Sequence, residues 1–339
     1  MNILKILVTT AVACFAATAA HAQETITLRF AHQFPPSHYA VKLSVEPFIK
    51  LIEERSKGRV KIEHFPAEQL AKAAGMLDAV KNRVTDIGFV GMTYVTAKIP
   101  LTSVSELPGL YSDSVEASRA LDALIKGELL EQEYLRNGVR PLFATVTPSY
   151  QLILAKKGPI NDLSDIQGVK LRAAGSTAEL VAQSLGAIPV RVSSSDTYLA
   201  IERGTIDGMI YTSAGSLGFK LENLLASATT NASLGSLAFG LMINELVWKG
   251  LPQDVRDLIT QVSNEEGPAT AVRFKKEYGQ ADQKLRAAGV KVYELSPKVQ
   301  AQFNDRLAAV QADWVKQVSA RGLPGKETMA AFKAHLQAK

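Results

Sequence analysis

From Thr27 onward the chain repeats one order of elements, strand then helix then strand, and that order constrains the fold more than any single residue. "TLRFA" reads as a short strand. "HYAVKLSVEPFIKLIEERSKG" sets Val41, Val45, Phe48 and Ile52 on one helical face and stops at Gly58, after which "RVKIEHF" returns to alternation. A helix joining two strands in this way implies parallel pairing, and parallel strands need helices over both faces. The pattern then recurs. "RVTDIGFV" (83–90) and "RGTIDGMI" (203–210) each follow an amphipathic helix and run Arg, Thr, Asp and Gly into an apolar strand. The segments before them, "VKIEHFPAEQLAKAAGMLDAV" and "AIPVRVSSSDTYLAI", share the order strand, polar turn, helix. Two occurrences so far apart predict two similar α/β lobes and not a solenoid. A chain of 339 residues, 47% hydrophobic, is long enough to supply both cores.

The chain must cross between the lobes. "VRPLFATVTPSYQLILAKK" (139–157) reads as two strands meeting around Thr147-Pro148, and "SLAFGLMINELVW" (236–248) as an apolar strand running back. Two extended crossovers make a hinge. After Pro252 a long helical pattern starts near Asp254 and ends at Gly289, with Gly267-Pro268 predicting a kink in its middle. "KVYEL" and helices at about 297–321 and 326–338 form a C-terminal layer. The expected division is a first lobe of residues 23–147 with about 236–275, and a second of residues 148–235 with about 276–339.

Residues 1–22 read as a leader: a charged start, an apolar run from Ile6 through Ala20, and the small-x-small ending Ala20-His21-Ala22. Cleavage after Ala22 removes the one cysteine, Cys14, which excludes disulfides, thiolate metal sites and cysteine nucleophiles from the mature chain. The run is short for a spanning helix, so the mature chain is expected to be periplasmic and not inserted in a membrane. Net charge is +5 with the basic residues dispersed, which argues against nucleic acid. No nucleophile elbow, phosphate loop or zinc-protease helix occurs, and no two of His21, His32, His38, His64 and His335 have helical metal spacing. Neither enzyme activity nor a cofactor or metal is expected.

"GVKLRAAGST" (168–177) sets Arg172 at the C-terminal tip of a strand, where ligands of open α/β sheets bind. Ser176 or Thr177 is expected to cap the helix that follows. From the pattern alone, a structural ion pair or a surface position is as open to Arg172 as a ligand. In "DGMIYTSAG", Asp207 and Gly208 suit a tight entry into a buried strand, and Tyr211, Thr212 and Ser213 emerge where a ligand would lie; an ordinary loop tyrosine is the other reading of Tyr211. Gly91, Met92 and Thr93 hold the equivalent place in the first lobe, and the first loop supplies Gln33 and Phe34. His32 and His38 flank "QFPPS" as solvated or cleft-lining histidines.

These motifs together resemble the periplasmic solute-binding proteins of tripartite ATP-independent (TRAP) transporters. "HFPAEQL" resembles the family's F-P-x-x-Q-L, "RVTDIGFV" its G-x-x-D-hydrophobic stretch, "DLSDIQGVKLR" its D-L-x-G-hydrophobic-K-hydrophobic-R, and "TYLAIERGTIDG" its V-Y-x-A-L-x-x-G-hydrophobic-D-G. The resemblance spans nearly the whole mature chain. It implies a two-lobed, type II-like periplasmic binding fold, α/β, with crossover strands and a long hinge-spanning helix, closing on an organic acid. It also implies that Arg172 clamps the ligand carboxylate and that a membrane permease receives the cargo; a subunit feeding a sensor kinase is the rival reading. Two departures bear on the ligand. Sugar-acid binders of the family often carry a second arginine where this chain has Gln151, and often read Q-E-N-P where it has Met209, Ile210, Tyr211 and Thr212. The loss of charge points to a monocarboxylate with an apolar or aromatic body, or a small 2-oxo or hydroxy acid.

Overall fold

A computed structural model describes residues 25–156 and 158–338. The leader and Cys14 lie outside the described residues. The strands are β1 (Ile26–His32), β2 (Val60–Phe65), β3 (Ile87–Gly91), β4 (Val139–Val146), β5 (Gln151–Leu154), β6 (Lys170–Arg172), β7 (Ile188–Val190), β8 (Gly208–Tyr211), β9 (Ser227–Thr229), β10 (Ala238–Asn244) and β11 (Lys291–Tyr293). They form two sheets, ordered β2-β1-β3-β10-β4 and β11-β9-β5-β8-β6-β7.

The sheets are built on one plan. In the first, β1 pairs in parallel with β2 and β3, while β10 lies antiparallel to β3 and to β4. In the second, β6 pairs in parallel with β7 and β8, while β5 lies antiparallel to β8 and to β9. The strand that closes each parallel core, β10 or β5, therefore arrives along a crossover from the other sheet. The repeated Asp has the same task in both. Asp86 Oδ2 accepts the backbone N–H of Arg29 at 2.8 Å while its own N–H reaches Arg29 O at 3.0 Å; Asp207 Oδ2 accepts from Lys170 N at 3.0 Å while its N–H reaches Lys170 O at 2.8 Å. Each carboxylate clamps the entry of one parallel strand to its neighbour.

Val41, Val45, Phe48 and Ile52 are all buried, and the chain turns after them at Gly58 with φ +78°. The first of these residues lie in a π-helical turn, Val41–Val45, that leads into the helix Glu46–Arg55. The helix Gln253–Ala287 is continuous through Pro268. It packs on β4, on the helix Ser114–Lys126 and on the helix Glu46–Arg55, then on the helix Ser213–Gly218 and β11, so it touches elements of both sheets. Gly267 permits the close approach, because a Cβ there would sit 3.0 Å from Phe143 Cβ. The C-terminal layer differs from expectation. It breaks at Ala308, giving helices Pro297–Leu307, Val310–Ala320 and Gly325–Gln337. The last packs on Ser114–Lys126 of the first sheet's layer, and Trp314 donates to Ser103 Oγ at 2.8 Å, whereas the sequence grouped everything after about 276 with the second lobe.

Glu106 is 1% exposed, with Ala238 N–H reaching its carboxyl at 3.5 Å, and burial pushes that carboxyl up to about 8. The folded chain thus holds a proton that the unfolded chain releases above the ordinary carboxylate range. Its contribution is favourable below about pH 4.5 and is lost as pH rises toward about 8. The melting temperature is expected to slope downward between pH 5 and 8 (order-of-magnitude bounds from that linkage), and Glu106→Gln to flatten the slope. An unaltered slope in a calorimetric pH series would remove Glu106 as its source. Asp207→Ala should cost about 1.5–3 kcal/mol in denaturant unfolding, the worth of a hydrogen bond to a charged group. An unshifted midpoint would show the clamp to be dispensable.

Candidate functional site

β6 ends at Arg172, and the parallel register of β6 with β8 sets it opposite Met209, two residues before Tyr211. The arginine is 1% exposed. Its Nη2 donates to Tyr94 Oη and to Ser194 Oγ, both at 3.0 Å, and its guanidinium carbon stands 4.7 Å from the centre of the Tyr211 ring. Ser194 Oγ also bonds the Tyr94 and Tyr211 hydroxyls, at 2.7 and 3.0 Å. Nε and Nη1 of Arg172 are buried without a hydrogen-bond partner, and among the described residues no carboxylate lies within ion-pairing distance of it. It is the one Lys or Arg among the buried described residues.

The surroundings are neutral. Burial pushes the phenols of Tyr211, Tyr150 and Tyr39 up, so they act as neutral donors and acceptors. Burial lowers His38 to about 3, and burial with the neighbouring His64 lowers His32 to about 3. His32 Nδ1 accepts from Phe34 N–H at 3.1 Å, which leaves its Nε2 proton for His64 Nε2 at 2.6 Å. His32, the last residue of β1, and His38 in the loop beyond are therefore buried groups, not solvated ones.

Contacts between the sheets' layers converge beside the arginine. Tyr94 belongs to the short 3-10 segment Met92–Val95 that follows β3, yet it bonds Arg172 and Ser194 of the second sheet's side. Thr93 donates to Ala174 O at 2.5 Å. Gly175, at φ +86°, makes room for this, since a Cβ there would lie 2.2 Å from Thr93 Oγ1 and 2.5 Å from Thr93 O. Phe34 stacks on His38 with ring centres 4.4 Å apart, and Phe219, from the loop after the helix Ser213–Gly218, packs against both.

Of the residues singled out in the sequence, Arg172 and Tyr211 meet directly, and Thr93 borders them through Ala174 and Gly175. Gln33 and Tyr94 both border Gly91, where a Cβ would lie 2.9 Å from each. Met92, Gln151 and Ser213 have other contacts. Met92 is core, its Cε against Gly240 of β10. Gln151 Oε1 accepts from Thr229 Oγ1 at 2.9 Å and Ala232 N at 3.0 Å, tying β5 to the crossover after β9. Ser213 donates to Asp282 Oδ1 at 2.5 Å, tying its helix to the long one. Both line a cavity of about 390 Å³ beside that helix; a second, of about 380 Å³, is lined by Thr93, Tyr94 and Gly175, and Arg172 lines neither. Ser176 and Thr177 do not cap their helix: Gly175 is its N-cap, with no side-chain bond. Tyr94, Tyr150 and Ser194 were missed. The serine run 193–195 after β7 was the available signal, since it too lies at a strand's carboxyl end. Among the described residues, no group of three or more His, Asp and Glu is placed to hold a metal.

The comparisons with known proteins bear on the fold and the family. The C4-dicarboxylate-binding periplasmic protein DctP of Rhodobacter capsulatus is 27% identical over 319 residues, covering 92% of this chain and 91% of its own. A TRAP solute-binding protein from Rhodoferax ferrireducens, solved with benzoate, superposes with a TM-score of 0.86 at 22% identity, covering 92% of this chain and 98% of that one. A TRAP periplasmic solute-binding protein from Bordetella bronchiseptica, solved with (R)- and (S)-mandelate, gives 0.83 at 22% identity, covering 92% and 99%. The family model for DctP, described as bacterial extracellular solute-binding protein, family 7, matches residues 30–317. With that match over most of its length, this chain belongs to family 7 of the bacterial extracellular solute-binding proteins, a family of transport receptors and not of enzymes.

Proposed function

We propose that this chain captures an organic anion with one carboxylate and an aromatic or apolar body, closes its lobes over it in the periplasm, and presents it to the membrane permease of a TRAP transporter. The observation that carries this reading is Arg172: a buried cation with no carboxylate partner and two N–H-bearing nitrogens unpaired. A planar guanidinium forks around a carboxylate with two charge-assisted bonds, which an ammonium cannot reproduce; both faces that fork, Nε with Nη2 and Nη1 with Nη2, include Nη2, so a forked ligand takes the place of Tyr94 or Ser194 on that nitrogen. One buried cation suits one carboxylate. The rings of Tyr94, Tyr150 and Tyr211 beside it favour a flat or apolar body over a polyol. The proteins solved with benzoate and with mandelate support that choice by likeness of fold. The relatives reported above lend nothing to the sensor-kinase reading.

Closure is the working step in this proposal, since a ligand that touches both lobes stabilises the closed form by its differential affinity for it. A thermal-shift screen of organic acids finds the ligand, because binding to the folded state alone raises stability. Against the best binder, Arg172→Ala is expected to lose two decades or more of affinity by calorimetry, from an uncompensated interaction of about 3 kcal/mol or more. Arg172→Lys keeps the charge without the fork and should still lose about ten-fold. Unchanged binding in both variants would refute the clamp. Gly175→Ala forces a Cβ onto Thr93 in a conformation nearly confined to glycine, and should weaken binding about ten-fold or more by opposing closure. Scattering of the liganded variant should show a larger radius than wild type, and an equal radius with equal affinity would remove this contact from the closing step.

A further inference from the structure

Gln33 is 4% exposed, and neither end of its side-chain amide, Oε1 or Nε2, has a hydrogen-bond partner. Because both ends are unpaired, the finding holds whichever way the amide is turned. The backbone on either side of it is held in place. His32 O accepts from Glu68 N at 3.1 Å, His32 Nδ1 accepts from Phe34 N–H at 3.1 Å, and Phe34 O accepts from Ala67 N at 2.9 Å. The amide and the Tyr94 ring both border Gly91, each 2.9 Å from where a Cβ there would stand, and the hydroxyl of that same ring accepts from Arg172 Nη2. Gln33 follows β1 of one sheet and Arg172 ends β6 of the other, with Tyr94 reaching from the surroundings of Gly91 to the guanidinium.

The geometry points to Gln33 as a second recognition pole, selecting acids that carry, besides the carboxylate, a group able both to donate and to accept a hydrogen bond. Arg172 offers only donors, so it answers acceptors, the anion above all, and cannot answer a donor. Gln33 offers one acceptor and two donors, and a buried amide left unpaired disfavours any ligand that cannot answer it. A hydroxyl meets it with one atom; a lactam meets it with its N–H and its C=O together. An acid with only apolar carbons beyond the carboxylate satisfies Arg172 and leaves Gln33 unpaired. Specificity then comes from the second pole and retention from the first. This inference rests on Arg172 as the carboxylate clamp.

Matched acids test it by calorimetry on the intact mature chain: benzoate against 3-hydroxybenzoate, and cyclopentanecarboxylate against pyroglutamate. The member with the donor–acceptor group is expected to bind about ten-fold or more tightly in at least one pair, as an unmatched buried polar group implies. The pair that shows the preference tells a hydroxyl from a lactam. Gln33→Met, close in volume, should bring that ratio to near one. Ratios near one in both pairs with wild type overturn the inference without any variant, and so does a preference that survives Gln33→Met. Arg172→Ala separates the two readings. If the acids bind with the expected preference but are indifferent to Arg172, the clamp fails and Gln33 selects alone; if none of the four binds, both readings fall together.

Discussion

A guanidinium held away from water with two of its nitrogens unpaired is the constraint around which the rest of this molecule is arranged. A permanent charge in such a place is costly unless an opposite charge answers it. The chain supplies neutral hydroxyls and a tyrosine face in place of a carboxylate. In the proposed function the counter-charge arrives with the ligand, and the lobes enclose it so that the interaction is strong. Binding and closure are, on that proposal, one event.

The surrounding architecture makes that event reversible. β10 and β5 complete each other's parent sheets through crossover chain, so the lobes are joined at a hinge and cannot separate. The long helix Gln253–Ala287 runs over elements of both sheets, and its bond from Ser213 to Asp282 anchors one end beside the hinge. On the ligand side the contacts between the lobes include Thr93 on Ala174, Tyr94 on Arg172 and Ser194, Ser195 on Glu68, and Phe34 and His38 on Phe219. Side-chain contacts of this kind can be broken and remade, whereas the apolar cores behind them hold each lobe rigid.

Much of the fold was legible because it follows from local rules. The helical face of Val41, Val45, Phe48 and Ile52 is a periodicity, and the twin Asp-Gly entries at Asp86 and Asp207 are a repeat whose carboxylates close the same backbone clamp twice. The place of Arg172 at the carboxyl end of β6 was legible because the strand pattern that ends in it is local. Tyr94 was not, although it lies in the stretch that supplied Met92 and Thr93, for its hydroxyl reaches the other lobe and no local pattern encodes that distance. Gln151 borders the hinge in sequence and Ser213 does not, and the partners of both, the Thr229–Ala232 crossover and Asp282, are far along the chain. The last helix was grouped with the wrong layer for the same reason: its amphipathic face fixes that it must pack, not on which sheet's helices.

The amino-acid order alone determined two α/β lobes, their crossovers, the long helix and the arginine at the tip of β6, because burial periodicity, turn residues and strand-end position act within a few residues of one another. Tertiary structure alone decided that this arginine has no carboxylate neighbour, that a tyrosine from the opposite lobe closes on it, and that Gln33 is buried with its amide unanswered. Those facts depend on which side chains meet across a cleft, and a meeting between segments so far apart in the chain is set by the packing of both sheets at once.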